Sequence, residues 1–172
     1  MPSVIDQLLG TQSTAQQQKG LVAGEVYAMW SGLASRYDYR QLVDIFQIFA
    51  NDVDLKALLT VGLGIIDSEI SQMEKELMTH GIPMPTRPPT ALTTPVNTEV
   101  MQDEHIYRIS LATLQAMIET GIRSLRAVRL PRWREMLLKF EEEDSSHLLA
   151  FADYGQVKGW IRIPPDYKPS IG

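Results

Sequence analysis

Cysteine is absent from this 172-residue chain, which excludes disulfides, thiolate metal sites and thiol nucleophiles. No apolar run reaches about 18 residues, so no helix spans a membrane. The opening MPSVIDQLLGTQSTAQQQKG lacks a basic stretch followed by an apolar one, and no secretory signal is read there. Basic charge is in deficit: 16 Lys and Arg against 21 Asp and Glu leave a net charge of -5, which opposes general nucleic-acid binding. Proline is missing from 3–82, 96–130 and 132–163. Interior proline removes a backbone donor and clashes with the preceding turn, so its absence leaves these stretches free to form long helices.

What is present fills those stretches with helical periodicity. Hydrophobic residues make up 44% of the chain, and a chain of about 150 residues or more buries enough surface for one independent core. Residues 1–19 are polar and glutamine-rich and read as an arm. A first helix over 20–50 draws its stripe from Val22, Val26, Met29, Trp30, Leu33 and Tyr37, continued by Leu42, Ile45, Phe46 and Phe49 after a kink at 36–39. Asn51 and Asp52 cap a second helix carrying Leu55, Leu58, Leu59, Gly62, Ile66, Ile70, Met73 and Leu77 inward; Gly81 and Pro83 stop it. Gly62 and Gly64 inside that helix suggest close helix approach. A third helix over 98–128 has Leu114, Met117, Ile118, Gly121, Ile122 and Leu125, and a fourth starts at Pro131 and stops near Gly155.

The pattern predicts an all-α four-helix bundle over 20–155, with an extended tail over 156–172 that lays Trp160 and Ile163 on its surface. Between the second and third helices, IPMPTRPPTALTTPVN is a proline-rich connector. Sixteen extended residues reach roughly 50 Å, against about 42 Å for a 28-residue helix, so the connector is long enough to run the length of the bundle.

Chemistry-bearing residues are few. Asp144 and His147 stand three apart on the fourth helix and continue its apolar stripe. Such an inward pair is half of the ligand pattern in carboxylate-bridged two-iron bundles, with Glu25 and Glu104 as single carboxylates from the first and third helices. The second helix supplies no carboxylate with a histidine three residues on, so the set for Fe or Mn is incomplete. A connector spanning the bundle also sets Glu25 roughly 18 Å from the level of Asp144, whereas an up-down-up-down order would draw Glu25, Glu76, Glu104 and His147 closer, so topology decides. His80, His105 and His147 form no pair spaced for one metal. Arg123, Arg126, Arg129, Arg132 and Arg134 surround the last helix junction and form, with Trp160, a candidate partner-binding patch. No Ser-His-Asp arrangement or phosphate-cradling glycine loop is present.

The segments GEVYAMW, NDVDLKALL, THGIPMPTRPP and KGWIRIPPDY together resemble an uncharacterised family of ferritin-like proteins from spore-forming Gram-positive bacteria, provisionally labelled spore coat proteins. The resemblance runs from about 20 to 168, and its most distinctive element is the closing Gly-Trp followed three residues later by Pro-Pro. It implies a ferritin-like bundle and a place in the spore coat. The expectation is therefore a non-enzymatic structural or interaction protein without a cofactor. It is cytoplasmic or coat-located and self-associates as a homodimer or docks on other coat proteins. The alternative is a metal-dependent ferritin-like oxidoreductase.

Overall fold

In the computed structural model, which describes residues 18–89 and 101–162, the described residues form four long helices: α1 (Ala23–Phe49), α2 (Val53–Thr79), α3 (Asp103–Ala127) and α4 (Pro131–Lys158). No strand occurs among the described residues. The bounds fall within a few residues of the sequence reading, with three corrections. α1 runs unbroken through 36–39, α3 starts at Asp103, and α4 continues to Lys158, where Gly159 adopts φ 70 and stops it. Gly81, with φ 62, ends α2 in the same left-handed conformation.

Short connections make α1/α2 and α3/α4 antiparallel hairpins. Their relative direction is fixed by hydrogen bonds at the two ends. At the α1–α2 turn, the backbone N–H groups of Asn51 and Asp52 donate to the Asp103 carboxylate (2.7 and 3.0 Å), so α3 begins beside that turn. At the other end, the N–H groups of Arg129 and Leu130 donate to Glu25, which seats the α3–α4 junction on the start of α1. α2 and α3 therefore run parallel, and the chain between them crosses the full bundle. Its described first part lies along α1 and α2: Arg87 donates to Glu74 (2.7 Å) and sits over the Tyr37 ring, and Gln41 donates to the Pro89 carbonyl. Residues 90–97 of the connector, 1–17 of the arm, and Ile163 with the rest of the tail lie outside the described residues.

Asp52 ties the hairpins together. It caps α2 by accepting from the N–H groups of Asp54 and Leu55, and it also accepts from the Tyr154 hydroxyl and from Lys158 Nζ (2.6 Å) on α4. The Lys158 ammonium and these donors outweigh partial burial and hold its carboxyl down at about 2. Trp160 packs against Tyr107 and Tyr154, with ring centroids 5.9 and 5.6 Å away, so it closes this end of its own bundle. Gly155 makes that packing possible, since a Cβ there would lie 1.8 Å from the Tyr107 hydroxyl.

The core contains Met29, Leu33, Phe46, Leu59, Ile66, Met73, Leu114, Leu137, Phe140 and Phe151, as the stripes required. Val22, Trp30 and Ile122 do not join it and are exposed. On α1 the inward positions belong instead to Glu25, Gly32 and Arg36, which turns the buried face away from Trp30. Gly62 does mark a close approach, because a Cβ there would meet His147 Nε2 at 2.8 Å, whereas Gly64 faces open space.

Candidate functional site: a buried guanidinium among carboxylates

The middle of the bundle holds charge. Arg36 of α1, Glu69 of α2 and Asp144 of α4 are 4%, 0% and 2% exposed. Arg36 Nε donates to Glu69 Oε2 at 2.7 Å, its Nη2 lies 4.0 Å from Asp144 Oδ2, and its guanidinium stacks over Phe140 at 5.1 Å. Gly32, one turn before Arg36, gives its carbonyl to Nη1 and leaves room for Met73. Glu141, one turn before Asp144, presses its carboxylate against Gly121 of α3, where a Cβ would overlap it at 1.5 Å.

One cation thus serves three carboxylates. Both Glu141 oxygens, Glu69 Oε1, Asp144 Oδ2 and Arg36 Nη2 have no hydrogen-bond partner among the described residues. Burial disfavours the ionised form of each carboxyl. For Glu69 it outweighs the pull of Arg36 and, with repulsion from Asp144, raises the carboxyl to about 7. For Glu141, burial and then Asp144 raise it to about 7, with Arg36 opposing. Asp144 rises to about 6, burial again exceeding the effect of Arg36 while Glu143 adds repulsion. Burial also holds the His147 imidazole below its usual value and, with a smaller push from the Asp144 charge, raises the Tyr39 phenol.

This layer makes stability depend on pH. Between the ordinary values, 4.5 for Glu and 3.8 for Asp, and the raised ones, the folded chain binds more protons than the unfolded chain, so stability falls as pH rises through 6 and 7. Asp52 and Glu25, whose carboxyls are lowered, lose their contributions only in acid; His147 costs stability below about pH 6.5 because the unfolded chain takes its proton. Urea denaturation is expected to give greatest stability near pH 5 and a lower midpoint at pH 8. A midpoint that does not fall between pH 5 and 8 contradicts the raised values.

The four residues singled out as metal ligands stand at three levels. Glu25 is at the start of α1, about 16 Å along the axis from Arg36, and is used up by the Arg129, Leu130 and Val22 N–H groups and the Arg129 guanidinium. Burial raises its carboxyl but those donors prevail and leave it lowered. Glu104 is at the opposite end, 42% exposed and paired with Arg108. Only Asp144 and His147 share the middle, and His147 packs edge-on to Phe151. No group of three or more His, Cys, Asp or Glu among the described residues could hold a metal ion, and at Asp144 the nearest cation is a guanidinium. The residues do not fit the two-iron arrangement.

The arginine cluster divides. Arg132 pairs with buried Glu76 (2.6 Å), Arg134 donates to the Val128 carbonyl, and Arg129 holds Glu25. Arg123 and Arg126 face solvent, the former beside Glu119. Glu76 also accepts from Trp133 Nε1 (3.0 Å), a side chain fully buried against the edge of His80. Arg36, Glu69 and Glu141 were not singled out from the sequence. Their signal was present: Arg36 lies seven residues after Met29 and three after Leu33, and Glu69 and Glu76 lie seven apart on the inward face of α2.

Four helices joined by two short turns and one bundle-long crossover define a ferritin-like four-helix bundle. The chain belongs to the family described as "Protein of unknown function (DUF3231)", whose model matches residues 10–170. A crystal structure from Bacillus halodurans C-125, of a protein provisionally named as a spore coat protein, matches with a TM-score of 0.83 at 20% identity. That match covers 89% of this chain and 99% of that one. A two-domain protein from Anabaena variabilis ATCC 29413, with DJ-1/ThiJ/PfpI-like and ferritin-like domains, matches with a TM-score of 0.67 at 14% identity, over 100% of this chain and 48% of that one. No curated protein matches this chain.

Proposed function

We propose that the chain is a non-enzymatic structural or interaction protein of the spore coat kind, acting by self-association or by docking on other coat proteins. The observation that carries this reading is the guanidinium of Arg36 between Glu69 and Asp144, where it braces three helices with a fixed cation of the chain's own. The name given to the Bacillus halodurans neighbour supports the coat location. The oxidoreductase alternative would need Glu25, Glu104, Asp144 and His147 at one level, and it draws no support from their placement.

A fluorescent fusion expressed in a sporulating host is expected to gather around the developing spore; uniform cytosolic fluorescence throughout sporulation overturns the coat reading. Protein purified with iron and manganese supplied is expected to carry less than one ion per chain after dialysis. A stoichiometric ion would instead favour the oxidoreductase.

A further inference from the structure

The outward groove between α1 and α3 is open along much of its length. Glu25 is level with Arg129 and Asn51 with Asp103, so the two helices run antiparallel with Ser35 opposite Glu119 and Asp38 opposite Ala116. Midway along, a cavity of about 290 Å³ is walled by Leu42, Ala116 and Met117 and reaches in to Tyr39 and Arg36. Toward the α3–α4 junction the groove continues as a second hollow floored by Ala28, Ser31 and Ser124. Tyr27 stands on the rim of that hollow and is 70% exposed. The charges are segregated in the same way: Arg123 flanks the junction half and exposed Asp38 the middle.

A knob, a hole and opposite charges on one face are the requirements of an isologous contact, in which the same patch meets itself across a twofold axis. We infer that the α1–α3 groove is the contact surface for a second copy of this chain. With the axis crossing the groove between Ser31 and Ser35, small side chains lie where the two copies approach most closely. The partner's Tyr27 then falls over the middle cavity at the level of Tyr39. Its ring suits Leu42, Ala116 and Met117. The partner's Arg123 comes within reach of Asp38, and the symmetry repeats both contacts. The face from Gly24 to Leu42 is about 27 Å long and two helices, about 20 Å, wide. About 500 Å² per protomer lies below the usual size of a stable interface, which implies a reversible dimer of micromolar affinity. This surface deepens the interaction reading above and rests on it only in supplying its means of self-association.

Sedimentation equilibrium of the full chain from low to high micromolar concentration tests the inference. The wild type is expected to pass from monomer to dimer. Asp38→Arg and Arg123→Asp are each expected to weaken the dimer at least about tenfold, and the two together to restore it to within about threefold of wild type. Both positions face solvent, so helix content and melting temperature should not change. Tyr27→Ala is expected to weaken the dimer without rescue by either reversal. A wild type that stays monomeric overturns the inference, as does a dimer indifferent to both reversals. In the latter case self-association stands and only its surface is misassigned, while the location of the fluorescent fusion tests the coat reading independently.

Discussion

Arg36→Ala is expected to lower the stability of the chain by about 3–5 kcal/mol at pH 8, read as a shift in the urea denaturation midpoint. Arg36 is the guanidinium placed between Glu69 and Asp144, and neither carboxylate has another cation within reach among the described residues. Removing one member of a buried pair leaves an uncompensated charge in a medium that solvates it poorly, a larger loss than the net worth of the pair. The remaining carboxyls can escape the cost only by holding protons. The deficit should therefore shrink at pH 5, where Glu69 and Asp144, already raised to about 7 and about 6, take up protons readily. Adding Glu69→Gln, Glu141→Gln and Asp144→Asn to Arg36→Met should recover most of the loss, because an apolar stem and three neutral amides leave no buried charge in this layer. An Arg36→Ala deficit that is the same at both pH values would show that the side chain matters through packing over Phe140 rather than through its charge.

Trp133→Ala is expected to cost a similar amount, about 3–5 kcal/mol, by opening a void the size of an indole in the first turn of α4. Trp133 is fully buried, meets His80 at 4.9 Å between ring centroids, and donates to Glu76. The volume and the hydrogen bond separate experimentally. Trp133→Phe keeps an aromatic ring and removes the donor, but Glu76 retains Arg132 at 2.6 Å, so a loss of about 1–2 kcal/mol is expected. Equal losses for the two substitutions would mean that the hydrogen bond, not the volume, holds the start of α4 against the end of α2.

The architecture was legible because its determinants are local. Pro131 begins α4, Asp52 caps α2 and Gly81 ends it, each acting within a turn of its own position. Leu55, Leu59, Ile66, Ile70, Met73 and Leu77 are buried as their spacing required. What could not be read was which charged residues turn inward. Trp30 on α1 suits an apolar stripe better than Arg36 does, yet Arg36 is inside and Trp30 is partly in solvent. The preference of arginine for water is overturned only by Glu69 and Asp144, 33 and 108 positions away, and a periodicity confined to one helix has no access to partners on two others. The same holds for Asp144, whose spacing to His147 suggested a ligand but whose nearest cation is a guanidinium from across the bundle.

The clasp between Glu25 and the N–H groups of Arg129 and Leu130 joins positions 104 and 105 residues apart. On a ribosome adding about 5–20 residues per second, the start of α1 waits roughly 5–20 s for its partners to be synthesised. Arg36 finds Glu69 after only 33 residues, within its own hairpin, whereas Asp144 arrives with the last helix. The nascent chain thus passes through a stage in which the first hairpin already holds a neutralised charge pair but presents an unfinished apolar face. The order of synthesis places the most distant acidic contacts among the described residues, at Glu25, Asp52 and Asp144, among the last to close.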